Sequence, residues 1–208
     1  MFIERYLKEI NKTMKNICSL IIACLFLAQC ATQPKNITNA CAILEQNEGL
    51  IGSWDKSLKK TEKKYGIPAH IILATVYVES SFRPYAKTKR TKLWGFIPWK
   101  RQSSAYGYAQ VLDKTWEHYK KATKRNFLAS RANFADAIDF IGWYYKEAVR
   151  RNHIAPTDCY NLYLNYYMGQ GAYARNKGQA SPAIRKAALR AAEMAKIYEK
   201  QLRLCGRR

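Results

Sequence analysis

The sequence predicts an all-α domain, and three observations support this. Apolar residues recur at helical spacing along much of the chain, helix-capping residues precede those stretches, and no stretch alternates as a half-buried strand does. No internal repeat is present. A chain of 208 residues is long enough for one domain with an apolar core and a short leader.

The first two predicted helices precede a long loop. Ser53 suits the N-cap of a lysine-rich helix that ends near Gly66. Pro68 suits the first turn of an apolar helix that runs to Glu79. Residues 82–108 are interrupted by prolines and glycines, which predicts a loop, and loops of that length are usually functional.

Four further helices are predicted after the loop, and each has its own start or stop signal. They are residues 113–122 with Asp113 as cap, residues 134–150 capped by Asn133, a helix from Pro156-Thr157-Asp158 to Gly169 and Gly171, and a helix from Ser181-Pro182 to Gly206. The second and fourth carry a single apolar stripe, which is typical of a helix with one face on a core.

The chain is strongly basic. Its 36 Lys and Arg against 15 Asp and Glu give a formal charge of +21. Such a charge predicts a polyanionic partner, which is nucleic acid, an acidic membrane face or a carboxylate-bearing wall polymer. No nucleic-acid-binding motif is recognised, and we expect no nucleic-acid partner.

The amino-terminal residues predict export. A cationic start at Met14 is followed by twelve apolar residues, which are too few for a comfortable membrane span but typical of a signal peptide. We therefore interpret residues 1–29 as a signal sequence. Residues 1–13 are an unusual extension ahead of its cationic start, which suggests that translation begins at Met14. The ending Leu27-Ala28-Gln29-Cys30 resembles a bacterial lipoprotein signal, although Gln29 stands where a small residue is usual. Cys30 is thus the predicted lipid-attachment residue.

The predicted mature chain has a linker and one domain. Polar residues predict a linker over 30–52, and the helical pattern predicts a domain over 53–205. Three cysteines remain after Cys30, which are Cys41, Cys159 and Cys205. An oxidising periplasm allows one pair, and we favour Cys41 with Cys205 because they bracket the domain. No His/Cys cluster suggests a metal site, and no cofactor is expected.

Glu79 is the most informative single residue. It ends the apolar run of the second helix, where a carboxylate must be paired, protonated or turned to water. A helix-end glutamate that faces water is the simpler interpretation. A carboxylic acid that stays protonated near neutral pH is what a general acid for glycosidic-bond cleavage needs.

Three segments carry a family resemblance. They are Glu79-Ser80, Ala105-Tyr106-Gly107-Tyr108-Ala109-Gln110 and Asn165-Tyr166-Tyr167-Met168-Gly169-Gln170-Gly171. In order and spacing they resemble the Glu-Ser, Gly-Leu-Met-Gln and Ala-Tyr-Asn-x-Gly-x-Gly motifs of lytic transglycosylases with a goose-lysozyme-like, SLT-type catalytic domain. Tyr167 stands where Asn is usual. Two other segments, 95–100 and 136–140, are similar to an exported branch of proteins with this domain.

The resemblance implies a lysozyme-like helical domain with a long loop after the catalytic helix. It implies cleavage of the β-1,4 bond between N-acetylmuramic acid and N-acetylglucosamine in peptidoglycan, with Glu79 as acid and then base and a 1,6-anhydro product. No second acidic residue lies in the three motifs; the nearest are Asp113 and Glu117. A lysozyme-type hydrolase and a non-catalytic wall-binding or secretion-apparatus protein are the alternatives. The expected location is the periplasm, with a lipid anchor in the outer membrane.

Several residues beside Glu79 are predicted to contact substrate. Each has a structural alternative, because a serine after a helix often caps it, a glutamine can brace a loop, and aromatic side chains can pack in the core or the loop. The predicted binding residues are Ser80, Tyr106, Tyr108, Gln110, Tyr166 and Tyr167. Trp94 and Trp99 lie in the same loop and are further candidates for stacking on sugar rings.

Overall fold

A computed structural model of the chain describes residues 14–15, 33–48, 52–94, 96–176 and 179–207. The described part is mostly helical, which confirms the predicted all-α class. Its helices are α1 (Ala40–Leu44), α2 (Trp54–Tyr65), α3 (Ala69–Ser80), α4 (Asp113–Thr123), α5 (Phe134–Asn152), α6 (Cys159–Met168), α7 (Gln170–Asn176) and α8 (Pro182–Leu204). Two antiparallel strand pairs join β1 (Asn47–Glu48) to β2 (Gly52–Ser53) and β3 (Arg90–Leu93) to β4 (Ile97–Arg101).

Helix α3 lies at the centre of the fold. It is apolar on all sides, and its residues from Ile71 to Val76 are fully buried. Helices α2, α5 and α8 pack around it. A helix that is apolar all round needs such complete cover. The side chain of Glu62 accepts a hydrogen bond from the Ala69 N–H at 3.1 Å, so a neighbouring helix supplies part of the cap that Pro68 lacks.

Aromatic stacking joins α2 to α5. The rings of Trp54 and Phe134 stack with centroids 3.6 Å apart, and each helix begins at one of these two residues. Further along, a Cβ atom added at Gly142 would lie 2.6 Å from the Tyr65 ring. Glycine therefore allows the two helices to approach closely.

Asp139 is a buried charge on α5 with several donors. Its carboxylate accepts hydrogen bonds from Lys64 at 3.0 Å, Tyr65 at 2.9 Å and Tyr119 at 2.6 Å. Arg125 lies 3.0 Å away as an ion pair. Burial alone would raise the pKa of Asp139, but the hydrogen bonds from Tyr119, Lys64 and Arg125 outweigh it and lower the pKa. The network therefore links α2, α4 and α5.

Most predicted helix starts agree with the structure. The Asn133, Asp158 and Ser181 side chains each cap the helix that they precede. Asp113 is a correction: Leu112 occupies the cap position, and Asp113 lies in the first turn of α4 and pairs with Arg131 at 2.7 Å. A carboxylate in the first turn is favourable there because of the helix dipole.

The predicted loop over residues 82–108 contains a β-hairpin. Strands β3 and β4 pair Arg90 with Arg101 and Leu93 with Ile97, and an irregularity between Arg90 and Lys92 shifts the register. This bulge interrupts the alternation by which a strand is recognised in a sequence. The expectation of helices and loop alone was wrong at this position.

The predicted linker over residues 30–52 is wrong for its second half. Helix α1 begins at Ala40, capped by Asn39, and buries Ala40, Ile43 and Leu44 in the core. A disulfide joins Cys41 to Cys205, and Cys159 is a buried free thiol. This helix was not predicted, because its five residues are too few to show helical periodicity in the sequence.

The predictions for the amino terminus concern residues that lie outside the described part of the chain. These include nearly all of the signal sequence over 1–29 and the lipid-attachment residue Cys30. Among the helices that the structure describes, none has the length and apolar character needed to cross a membrane.

The Asp139 network makes a stability prediction. Replacing Asp139 by Asn should lower the free energy of unfolding by ~3–5 kcal/mol, because Arg125, Tyr65 and Tyr119 lose their shared buried charge. Urea unfolding measures the loss. Glu147→Gln is the matched control, since Glu147 pairs with Arg150 and Arg151 at the surface. It should cost less than ~1 kcal/mol. Equal losses in the two variants would contradict a special role for Asp139.

Candidate active site

Glu79 lies in the last turn of the buried helix α3. The helix ends one residue later, and the next two residues, Ser81 and Phe82, have φ values of 52° and 59°. Such values are uncommon outside glycine and store strain near functional sites. The reversal returns Phe82 to the core, where it is fully buried and stacks 6.2 Å from Trp54. The Glu79 carboxyl is thus held where the helix leaves the core.

The environment of the Glu79 carboxyl keeps it protonated well above the pH at which a glutamate usually ionises. Burial raises its pKa from 4.5 to about 7, and a hydrogen bond from the Tyr163 side chain acts in the opposite direction. Its Oε1 atom is buried and makes no hydrogen bond. A buried carboxyl with one donor is poorly solvated as an anion, so the neutral form is favoured. Of the two interpretations of Glu79, the structure favours the buried, protonated carboxyl over the solvated helix end.

A tight turn holds the second motif against the site. The backbone N–H of Gly107 donates to the Ala86 carbonyl at 3.0 Å, and the N–H of Tyr108 donates to the Arg131 carbonyl at 3.1 Å. Gly107 has a φ of 78°, and a Cβ there would lie 2.0 Å from the Arg131 oxygen. Only glycine satisfies both constraints. The Gln110 amide nitrogen closes the turn, donating at 2.9 Å to the carbonyls of Ala86 and Gly107.

The third motif supplies an aromatic wall. Tyr166 on α6 donates its hydroxyl to the Ala109 carbonyl at 2.5 Å and so joins α6 to the second motif. The rings of Tyr144, Tyr145 and Phe140 on α5 surround it, with centroids 5.3 to 6.2 Å away. Edge-to-face contacts of this kind fix ring orientation. The wall is therefore packed rather than mobile.

These elements enclose a cavity of about 400 Å³ in which Glu79 is the one acidic lining residue among those described. Its lining combines hydroxyl, amide, aromatic and apolar groups. The lining residues are Glu79, Thr88, Ser103, Ala105, Gln110, Val111, Leu112, Thr115, Phe140, Tyr144, Tyr166, Tyr167, Met168 and Gly169. Polar groups between aromatic surfaces are typical of sites that bind small organic or sugar groups.

Four of the predicted site residues meet in this cavity, namely Glu79, Gln110, Tyr166 and Tyr167. Tyr167 is 59% exposed, so its ring is accessible. The Gln110 nitrogen is already used in the turn, which leaves the amide oxygen as the group that can accept a hydrogen bond from a ligand. The Gln110 nitrogen therefore braces the loop, while its oxygen is free for the predicted substrate contact, so the two predicted roles of Gln110 are compatible.

The other three predicted binding residues do not line the cavity. The Ser80 hydroxyl is buried and donates to the Val76 carbonyl, so it does not orient Glu79. Tyr108 is fully buried, with its ring edge-on to Trp54 and Phe134. Tyr106 has Lys87 and Arg131 over its ring. The position of Ser80 on α3 directs its side chain into the core, whereas the positive φ of Gly107 sets the directions of the flanking Tyr106 and Tyr108. Such turns are hard to predict from sequence.

Sequence reasoning missed two kinds of site residue. Tyr163 lies one helical turn before Tyr166 and hydrogen-bonds to Glu79. The spacing of three residues on one helix was the available signal. Thr88 and Ser103 lie at the base of the β3–β4 hairpin, where the Thr88 hydroxyl donates to the Ser103 carbonyl at 3.0 Å. No local pattern identifies them, because pairing of two distant segments places them at the cavity.

A second cavity lies at the opposite end of α3. It is lined by Glu62, His70, Glu199 and Arg203 among others. Of its charged groups, Glu62 caps the Ala69 N–H, Arg203 pairs with Glu199, and Arg207 lies 3.9 Å from Asp55. We therefore consider the cavity at Glu79 to be the active-site candidate.

The helical architecture and the buried Glu79 carboxyl at the cavity are typical of a lysozyme-like domain. A family model described as Transglycosylase SLT domain matches residues 18–205, and the chain belongs to this family. The family resemblance predicted from the three motifs is thereby confirmed.

A solved structure agrees with this assignment at the level of the fold. It is an inactive mutant of lytic transglycosylase Slt from Pseudomonas aeruginosa, with a TM-score of 0.51 and 14% sequence identity. The similarity covers 71% of this chain and 24% of that chain, so the present chain spans about a quarter of the other's length. The search of curated proteins finds no match.

The turn at Gly107 predicts a stability difference between two glycine variants. Gly107→Ala should be destabilised by several kcal/mol, because it adds a steric clash with Arg131 to the strain of a positive φ. Gly66→Ala is the matched control, since Gly66 has a φ of 70° and open space around its Cα. It should lose only ~1 kcal/mol. Similar melting temperatures for the two variants would contradict the close approach.

The raised pKa of Glu79 predicts a specific pH dependence of stability. Folded protein retains this proton up to about pH 7, whereas an unfolded glutamate releases it near pH 4.5. The native state thus holds more protons in that window, and its stability falls as pH rises through it. Relative to wild type, Glu79→Gln should gain ~3 kcal/mol of unfolding free energy between pH 4 and pH 8.

Urea titrations at several pH values measure this difference. Glu147→Gln provides the control, because the Arg150 hydrogen bond lowers the Glu147 pKa and its contribution has the opposite sign. A Glu79→Gln difference that stays flat across pH would show that Glu79 is ionised in the native protein.

Proposed function

We propose that this chain is a peptidoglycan lytic transglycosylase that cleaves the β-1,4 bond between N-acetylmuramic acid and N-acetylglucosamine. One observation carries the proposal: Glu79, with a pKa raised to about 7, is the one acidic side chain lining the cavity among the described residues. A pKa near the working pH suits a group that must both donate and accept a proton. Membership of the transglycosylase SLT family supports the substrate class.

The proposed reaction uses Glu79 twice. The protonated carboxyl donates its proton to the glycosidic oxygen as the bond from that oxygen to the muramoyl C1 breaks, and the glucosaminyl part leaves with a hydroxyl group. The resulting carboxylate then takes the proton of the muramoyl 6-hydroxyl, whose oxygen closes on C1. This gives a 1,6-anhydro ring and restores the protonated acid, so no water is consumed.

Neighbouring groups support this cycle in defined ways. The buried Oε1 atom without a partner keeps the acid neutral before reaction, and the Tyr163 hydrogen bond stabilises the carboxylate after proton transfer. The Gln110 amide oxygen can accept from an N-acetyl N–H. Tyr167 presents an exposed ring at the cavity, where an aromatic face can pack on a sugar.

Hydrolysis is the alternative on the same fold. Typical glycosidases use two carboxyl groups, about 5–5.5 Å or about 6.5–9.5 Å apart. Asp113 and Glu117, the nearest acids in sequence, pair with Arg131 and Lys120 and do not line the cavity. This favours the intramolecular 6-hydroxyl over water as nucleophile. A non-catalytic wall-binding protein is the other alternative, and Tyr167 in place of the usual Asn is the feature that favours it.

Location is part of the proposal. The signal-like residues 14–30 lead us to propose export to the periplasm, with a lipid on Cys30 that anchors the protein in the outer membrane. Nine residues of sequence lie between Cys30 and the first residue of α1, Ala40. Because this connection is short, such an anchor would hold the domain near that membrane.

Digestion of purified sacculi tests the reaction. Wild-type protein should release muropeptides with 1,6-anhydro ends, and Glu79→Gln should lose at least ~10²-fold in rate while it remains folded. Mass spectrometry identifies the ends. Reducing ends instead of anhydro ends would establish a hydrolase, and absence of any release by folded wild type would favour the non-catalytic alternative.

Fractionation tests the anchor. Wild-type protein should be found with the outer membrane, and Cys30→Ser should be found in the soluble periplasm, because the acyl chains that would anchor it are then absent. Labelling with a fatty-acid probe should mark wild type alone. Soluble wild type with an unmodified Cys30 thiol would refute lipidation and leave export by ordinary signal cleavage.

A further inference from the structure

The β3–β4 hairpin ends in an exposed apolar tip. Its four exposed side chains are Trp94, Phe96, Ile97 and Trp99, which are 78%, 71%, 38% and 50% exposed. Neighbouring exposed apolar groups of this size mark interaction surfaces. Strands β3 and β4 also form a two-stranded sheet of their own, which is marginally stable in water without a further packing surface. Both features predict that something covers the tip.

The charge around the tip indicates what that partner is. Between Glu79 and Asp113 the sequence has seven basic residues and no acidic residue. The basic residues are Arg83, Lys87, Lys89, Arg90, Lys92, Lys100 and Arg101, and all seven are exposed. A local charge of one sign attracts a surface of the opposite sign. The partner is therefore anionic and also accepts apolar side chains.

Cationic and apolar groups are separated along the hairpin. Arg90 pairs with Arg101 near its base, and Leu93 pairs with Ile97 next to its tip. Three residues of strand span ~10 Å. Segments at a membrane interface bury their apolar side ~5–10 Å deep, with Trp at headgroup level and Lys or Arg among the anionic headgroups. The hairpin has the length and the order of groups that such docking requires.

We propose that the β3–β4 hairpin docks this protein on an anionic lipid surface. The tip formed by Trp94, Phe96 and Ile97 enters the boundary between headgroups and acyl chains. The cationic side chains of Arg90, Lys92 and Lys100 contact lipid phosphates. This interaction depends neither on the proposed reaction at Glu79 nor on a lipid at Cys30.

A sugar chain fits the tip less well. Phe96 and Ile97 offer no hydrogen-bonding group, whereas sugar recognition needs polar groups beside an aromatic face. Five residues, four of them in β3, lie between Thr88 at the cavity and Trp94 at the tip, which corresponds to ~17 Å. The tip therefore cannot contact the sugar ring that Glu79 reaches. A second copy of the hairpin is also disfavoured, since two sets of seven like charges would repel.

Docking at the tip would fix the height of the cavity above the lipid. The hairpin base is held by a hydrogen bond from Arg101 to the Thr88 carbonyl at 2.7 Å and by the Thr88–Ser103 bond at 3.0 Å. Thr88 and Ser103 both line the cavity. The spacing places the cavity on the order of 15–20 Å from the depth that the tip reaches.

Quenching of tryptophan fluorescence by brominated lipid tests the proposal locally. Vesicles contain equal parts of phosphatidylglycerol and brominated phosphatidylcholine, with brominated phosphatidylcholine alone for comparison. The full chain is used with Cys30→Ser in every variant. Of the five tryptophans, Trp94 and Trp99 are the exposed ones, and residues 1–31 contain none. Quenching therefore reports contact of the hairpin and not binding through residues 1–31. We expect quenching with the anionic vesicles that weakens as salt is raised.

Two variants with matched controls give the partition coefficients. Phe96→Ser with Ile97→Ser should lower anionic-vesicle partitioning of the hairpin by ~10-fold or more. Leu189→Ser with Leu204→Ser removes comparably exposed apolar groups from α8 and should change this partitioning little.

A second pair of variants tests the charge. Partitioning should weaken more in the hairpin variant Arg90→Gln, Lys92→Gln, Lys100→Gln than in the α8 variant Lys186→Gln, Lys196→Gln, Lys200→Gln, which removes equal charge. Circular dichroism checks that each variant is folded.

Three results would overturn the proposal. Absence of Trp94 and Trp99 quenching by anionic vesicles would do so directly. Equal losses of partitioning in the hairpin and α8 variants would show that overall charge and hydrophobicity are sufficient for vesicle binding. Hairpin variants that lose binding to sacculi or lose self-association by sedimentation, but keep the vesicle signal, would assign the tip to glycan or to a second copy.

Discussion

The active-site candidate depends on the burial of one carboxyl group, that of Glu79, at the end of a largely apolar helix. Asp139 shows what such burial requires when the charge is kept, since Lys64, Tyr65, Tyr119 and Arg125 all reach it and its pKa is lowered. Glu79 has a hydrogen bond from Tyr163 and a bare Oε1 atom, and its pKa is raised to about 7. The number of hydrogen-bond donors therefore distinguishes a buried carboxylate with a lowered pKa, Asp139, from a buried carboxyl with a raised pKa, Glu79.

The surroundings of Glu79 are rigid for reasons that can be followed along the chain. Tyr166 is held by the Ala109 carbonyl, and that carbonyl belongs to the turn that Gly107 and Gln110 close. Arg131 supports the same turn, donating to the Val111 carbonyl at 2.9 Å. A change at any of these contacts moves the cavity wall relative to the acid. Preorganised groups of this kind are what an acid with no second carboxyl beside it depends on.

Local signals predicted most of the fold, while distant pairings were not predicted. Caps such as Asn133 and Asp158 act within three residues, so a sequence displays them directly. The hairpin, Thr88 and Ser103 depend on pairing between segments, and the bulge after Arg90 hides the alternation. The same limit applied within the site. The motifs located Glu79, Gln110 and Tyr166, but Tyr108 and Ser80 lie in the core, because the turn at Gly107 and the position of Ser80 on α3 set their directions.

The segment between the first two motifs joins the cavity to the exposed surface. Its base forms part of the cavity through Thr88 and Ser103, and its tip exposes Trp94 and Phe96. A segment needed only to close the cavity could be a short turn, and exposing large apolar groups ~17 Å away would then serve no packing purpose. Because the Arg101–Thr88 bond joins the hairpin base to the cavity wall, a surface that holds the tip also positions the cavity beside it. The sign of the charge on that segment then restricts the holding surface to an anionic one.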